Sequence, residues 1–193
     1  MCRKRLAVGG RQLEKNRPVF LLAIVVSVIA GACNPDHLAA SKIALFDSEK
    51  YFSAEAEKLA AVKAVHKSVM RNGTASEADV QVSDWKKELE PFRQCNIDKP
   101  ALISSYSGDT SFAGDTMKIR IYTAEKGLAV RSVNISKVGQ QVLRVEIETA
   151  GHNELYSSGR KLTYTADGSY SISGYQDMAL GKKTTYSIVA SWQ

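Results

Sequence analysis

The second half of the chain alternates apolar and polar residues with a period of two, and that alternation limits the fold more than any other feature. Met117, Ile119 and Ile121 alternate with Lys118, Arg120 and Tyr122. Leu143, Val145 and Ile147 alternate with Arg144, Glu146 and Glu148. Tyr186, Ile188, Ala190 and Trp192 alternate with Thr185, Ser187, Val189 and Ser191. Successive side chains of a strand point to opposite sides, so each segment has one apolar face and one wet face. Turn-forming residues punctuate them: Glu125-Lys126-Gly127, Gly139-Gln140, Gly151-His152-Asn153, Ala166-Asp167-Gly168 and Leu180-Gly181-Lys182. Everything after residue 100 therefore reads as an antiparallel meander of about six or seven strands.

The region before residue 100 supplies a cover for that apolar face. Residues 47–61 (DSEKYFSAEAEKLAA) are rich in helix formers, with Asp47 or Ser48 as N-cap and Tyr51, Phe52, Glu55 and Leu59 near one face. Residues 62–71 read either at helical spacing or as a strand. Asn72-Gly73 decides for a strand, because this pair suits the two positive-φ positions of a type I′ hairpin turn. Residues 74–82 return as its partner. Ser83 is expected to cap a second helix, on which Trp85, Leu89 and Phe92 share a face. Pro91 should end or kink it near Glu90. The expected fold class is α+β: two helices packed on a curved antiparallel β-meander, long enough to curl into a half-barrel.

The amino terminus has a different logic. Residues 1–17 carry six Lys or Arg against one acid, residues 19–32 (VFLLAIVVSVIAGA) are uncharged and apolar, and Ala30-Gly31-Ala32 precede Cys33. This basic, apolar, small-residue order is that of an export signal. The apolar run has 14 residues, against roughly 20 for a membrane-spanning helix. Three fates are open: cleavage with acylation of Cys33, cleavage by ordinary signal peptidase, or retention as an anchor. The cysteine favours the first, although Ala30 stands where a lipobox has leucine. The domain organisation is then residues 1–32 as signal, 33–46 as lipidated Cys33 and tether, and 47–193 as a single domain.

Removing the signal changes the charge argument. The whole chain has net charge +6, but residues 33–193 carry 20 Lys or Arg against 19 Asp or Glu. No electrostatic footprint for nucleic acid remains. With Cys33 acylated, Cys95 is a lone thiol, and a disulfide framework is excluded. The ordinary role of such a cysteine is as a small filler near a helix end.

The chain resembles uncharacterised envelope lipoproteins of the Bacteroidetes type. The resemblance rests on Tyr51-Phe52, on Asp84-Trp85-Lys86-Lys87-Glu88-Leu89 with Phe92, and on Asn96-Ile97-Asp98-Lys99-Pro100-Ala101. The segments KLTYTADGSYSI and TTYSIVASWQ are similar in style and position to that group's C-terminal meander. It implies an envelope lipoprotein and carries no catalytic residue over.

No motif contradicts that expectation. His37, His66 and His152 are dispersed, with no H-E-x-x-H and no Cys/His cluster, so no metal or cofactor is expected. Neither G-x-S-x-G, a P-loop nor a dinucleotide fingerprint occurs. The chain is expected to be a non-enzymatic, membrane-anchored protein-interaction module, with no catalytic residues. Its location would be the periplasmic face of the outer membrane. Its partners would be the membrane, through the lipid on Cys33, and an envelope protein or lipid. Tyr156, Tyr164, Tyr170 and Tyr175 concentrate in the meander and are the candidate contact residues. The alternative is a carrier of lipid or a small hydrophobic ligand, which needs a cavity between sheet and helices.

Overall fold

The computed structural model describes residues 44–193. The signal, Cys33 and the tether as far as residue 43 lie outside the described residues. Along the rest run α1 (Ser48–Lys58), β1 (Ala64–Arg71), β2 (Thr74–Gln81), and two single-turn helices, α2 (Trp85–Glu88) and α3 (Glu90–Arg93). Seven strands follow: β3 (Ser107–Ala113), β4 (Thr116–Tyr122), β5 (Val130–Val138), β6 (Gln141–His152), β7 (Tyr156–Thr165), β8 (Ser169–Met178) and β9 (Thr184–Ser191).

All nine strands join one open sheet, in the order β2-β1-β9-β8-β7-β6-β5-β4-β3. Every pairing is antiparallel. The protein is thus mainly β, and the expected six or seven strands become nine. The difference is the early hairpin. β1 does not stand apart from the meander but pairs with the last strand, from His66↔Ser191 to Arg71↔Tyr186. The hairpin turn is as the sequence predicts, with Asn72 at φ 49° and Gly73 at φ 86°.

The helices form where local chemistry allows, and break where it does not. Asp47 caps α1, its carboxylate accepting from the Lys50 backbone N–H at 3.0 Å. Ser48, Phe52, Glu55 and Ala56 make the buried stripe of α1. The expected second helix is two separate turns hinged at Leu89, because the Pro91 ring cannot sit inside a continuous helix and instead opens α3. Its cap is Asp84 rather than Ser83. The Asp84 carboxylate accepts from the backbone N–H of Lys86 and Lys87 at 2.9 and 3.1 Å. The expected tether also ends early, since Leu45 and Phe46 already pack against the core.

Trp85, Leu89 and Phe92 are buried as their spacing predicts. They meet an aromatic cluster drawn from both layers. Phe52 lies 4.9 Å from Phe92, Phe92 lies 5.8 Å from Tyr170, and Trp85 lies 4.9 Å from Trp192, measured between ring centroids. The Trp85 indole N–H donates to the Val62 carbonyl at 2.8 Å. Farther along the sheet the cover is a loop: Cys95 and Ile97 are buried, and the Tyr106 hydroxyl donates to the Val130 carbonyl at 2.8 Å.

One strand departs from its sequence pattern. The alternation of β6 puts Leu143 with Val145 and Ile147, yet Leu143 is exposed while Val142 packs against the core. A register shift in the β5–β6 ladder, between Ser136 and Lys137, inserts one unpaired residue and exchanges the two faces beyond it.

Candidate functional site

The two faces of the sheet are chemically distinct, and the candidate site follows from that difference. The face towards the helices carries Val65, Ile121, Val133, Val145, Ile147, Leu162, Tyr164, Tyr170, Ile172 and Ala190, all buried. The opposite face carries their alternates. Across β3 to β6 run two cross-strand rows, Asp109–Arg120–Asn134–Glu146 and Ser111–Lys118–Ser136–Arg144. Towards β1 the rows become hydroxyl-rich, as in Thr163–Ser171–Val189–Ser68. Among the described residues no helix covers this face.

The β3–β6 rows line a shallow trough of about 460 Å³. Within it Arg144 bonds Glu146 at 2.9 Å, and Lys161 approaches the same carboxylate at 3.5 Å. The hydrogen bond from Arg144, helped by the charge of Lys161, holds the Glu146 carboxyl below its ordinary value. Lys118 and Arg120 make no ion pair among the described residues. The Arg120 guanidinium instead lies 5.0 Å from the centre of the Tyr122 ring. The trough therefore holds Lys118, Arg120 and Arg144 against Asp109 and Glu146, a small positive excess able to accept an anionic group.

The four candidate tyrosines do not form one surface. Tyr164 and Tyr170 lie in the core, and this corrects their expected role at a free contact surface. Their alternation points them at the helices, where each meets a carboxylate. The Tyr164 hydroxyl donates to Glu55 at 2.8 Å, and the Tyr170 hydroxyl donates to Glu88. A lysine completes each pair: Lys58 reaches Glu55 at 2.6 Å, and Lys67 reaches Glu88 at 2.6 Å. These are latches between the layers, with every buried charge partnered. Tyr156 and Tyr175 are part-exposed, on opposite sides of the sheet. Tyr175 is on the uncovered side, where its ring lies over Gly159 and under the Lys183 ammonium at 4.8 Å.

The structure also joins groups that the linear sequence keeps apart. His66 Nδ1 lies 2.9 Å from the Asp79 carboxylate, and Ser191 faces His66 across the neighbouring ladder. Carboxylate, imidazole and hydroxyl thus stand in the order of an acyl-transfer relay, at the edge of a 610 Å³ concavity. No hydrogen bond links His66 to Ser191, and the His66 and Asp79 side chains are solvated. An activated nucleophile needs that bond, so the row supplies no catalytic assignment. No spacing in the sequence marks these residues, because they come from three separate strands.

Cys95 is buried and free, its Sγ 3.3 Å from the Pro91 carbonyl. Burial raises its thiol above the ordinary value, with the charge of Arg160 acting against it. A thiol held in its neutral form is a filler rather than a nucleophile. No group of three or more His, Cys, Asp or Glu is arranged to hold a metal among the described residues. No helix of the described residues is long and apolar enough to cross a membrane.

Comparison with protein-family models, with curated proteins and with solved structures gives no match for this chain.

Proposed function

We propose that this chain is a non-enzymatic, membrane-anchored envelope lipoprotein that works as a protein-interaction module through the uncovered face of its sheet. The observation that carries the proposal is the contrast at the sheet. One face is sealed by an interlocked aromatic core, and the other is left open among the described residues, with Lys118, Arg120 and Arg144 outnumbering Asp109 and Glu146 in a trough. In this account Cys33 carries the lipid, the protein faces the periplasm from the outer membrane, and the open sheet curls as a half-barrel around the helices. The contact residues are Lys118, Arg120 and Tyr175, and the partner surface is acidic.

The aromatic packing of Phe52, Phe92, Tyr164, Tyr170 and Trp192 between helices and sheet favours a contact module over a lipid carrier. The 610 Å³ concavity and the trough are lined by strand, turn and chain-end residues, and neither by a helix residue. Site-specific cross-linking in intact cells tests the proposal. Probes at Ser136 and Ser171 should capture a partner, and the double variant Lys118→Glu, Arg120→Glu should lose it. Capture from the Lys58 to Lys63 region alone would move the working surface to the helices. A Cys33→Ser chain should fold and leave the membrane fraction; retention there would overturn the lipid anchor.

A further inference from the structure

The sheet ends in two edges, and they differ. Edge strands expose unpaired backbone N–H and C=O groups, and proteins usually blunt them with lysine, proline, bulges or very short strands. β3 (SGDTSFA) carries a single charge, Asp109, and no lysine, proline or bulge: all seven of its residues pair with β4 in one unbroken register. Its two-residue turn has Gly114 at φ 59°, as a type II′ hairpin requires. In such a hairpin the closing pair, Ala113↔Thr116, is hydrogen-bonded. The bonding then alternates, so Ser107, Asp109 and Ser111 bond to β4, while the backbone groups of Gly108, Thr110 and Phe112 point away from the sheet. Phe112 is 68% exposed.

We infer that β3 pairs with β3 of a second copy of this chain, antiparallel and two-fold, extending the sheet across both molecules. The side chains agree with the symmetry. The register of full overlap sets Thr110 opposite itself, Asp109 opposite Ser111, and Gly108 opposite Phe112. No acid faces an acid across the dyad. Each Phe112 ring covers the glycine opposite, on the helix-bearing side. The molecule uses the same device internally twice. Tyr175 covers Gly159, and Tyr186 covers Gly174, each directly across a ladder. The bonding parity also fits, since Gly108, Thr110 and Phe112 are the residues with free backbone groups, and they meet one another.

The other edge does not allow this. β2 (TASEADVQ) carries Glu77 and Asp79 on one side. In its two-fold registers of greatest overlap, Glu77 faces Glu77 or Asp79 of the partner, and like charges placed opposite are destabilising. Self-pairing therefore closes at a dimer through β3 instead of continuing as a fibre through β2. A single strand pair falls below roughly 1,200 Å² of buried surface, so the association is weak and favoured where the chain is concentrated.

Cysteine pairs in the full-length chain read out the register. A Thr110→Cys chain should give disulfide-linked dimer on mild oxidation, well above the yield of the parent with its own thiols. Hydrogen-bonded antiparallel neighbours are about 5.5 Å apart at Cα, within disulfide reach. Ser107→Cys and Ala113→Cys should stay at the parent's baseline separately and cross-link when mixed, because each faces the other across the dyad. Baseline yield from Thr110→Cys, in a chain with unchanged melting, would overturn the pairing. So would equal yield from Ser107→Cys alone. Where Thr110→Cys fails to fold, the mixture decides: yield only on mixing supports the pairing, and none overturns it. The inference uses an edge and not the trough, so its failure leaves the capture results at Ser136 and Ser171 untouched.

Discussion

The same strands build both faces of this sheet, yet the faces have opposite chemistry. On the side towards α1, α2 and α3, Phe52, Phe92, Tyr164, Tyr170 and Trp192 interlock, and the Glu55 and Glu88 carboxylates are paired. On the other side Lys118 and Ser173 are exposed and Ser136 and Ser171 half-buried, and only Ser132 and Thr163 among its polar residues are buried. A period of two lets one segment satisfy both environments at once. The lesson is that stability and contact are kept apart here: a substitution on one face should alter folding, and one on the other should alter what the protein touches.

The largest way to break the contrast is at Trp85. Trp85→Ala removes a buried ring and its indole hydrogen bond, and should cost about 3–5 kcal/mol in urea unfolding. Losing less than about 1 kcal/mol would mean that α2 does not seal the sheet.

Two glycines in neighbouring strands sharpen the comparison. A Cβ on Gly174 would stand 2.6 Å from the Gly159 backbone carbonyl, with the Tyr186 ring also crowding it. A Cβ on Gly159 would meet the Tyr175 ring at 2.7 Å, and that part-exposed side chain can swing aside. Gly174→Ala should therefore cost about 1–3 kcal/mol through overpacking of backbone, and Gly159→Ala clearly less. Equal losses in parallel melts would show that the uncovered face is as rigid as the covered one.

Tyr164→Phe keeps the ring and deletes the donor to Glu55. Leaving that carboxylate with Lys58 as its remaining partner should cost about 1–2 kcal/mol. The same latches set an alkaline limit. Burial first, then the nearby Glu55 or Glu88, raises the phenols of Tyr51, Tyr164 and Tyr170 above the ordinary value of about 10. A raised folded value means that the stabilisation is whole below about pH 10 and is lost as pH rises beyond it, because the unfolded chain releases those protons first. Phenolate absorbance for these three should appear together with unfolding. Smooth, early titration of every tyrosine in a folded chain would remove the latches.

The smallest effect belongs to the uncovered face. Ser171→Ala should change stability by no more than about 0.5 kcal/mol.

Much of this architecture can be read from local chemistry. The hairpin at Asn72-Gly73, the buried stripe of Trp85, Leu89 and Phe92, and the strands around Ile121, Val145 and Ala190 follow from turn geometry and periodicity. The failures are equally local in origin. Leu143 fits its alternation but is turned out by a bulge in the ladder. Ser83 and Asp84 are both good caps, and the choice between them depends on where Trp85 must point to reach Val62. Tyrosine in a strand suits either face, so residue type alone could not separate Tyr164 and Tyr170, which latch the layers, from Tyr175.

By itself the sequence determined which segments become strands, where they turn, and which side of each is apolar, because these depend on side-chain period and on the backbone preferences of Asn, Gly and Pro. Only the tertiary structure decided that β1 pairs with β9, that Glu55 and Glu88 close on Tyr164 and Tyr170, and that Asp109, Lys118, Arg144 and Glu146 share one trough. Those outcomes join residues far apart in the chain. Their energies come from ladders and packing that exist only once the whole sheet has assembled.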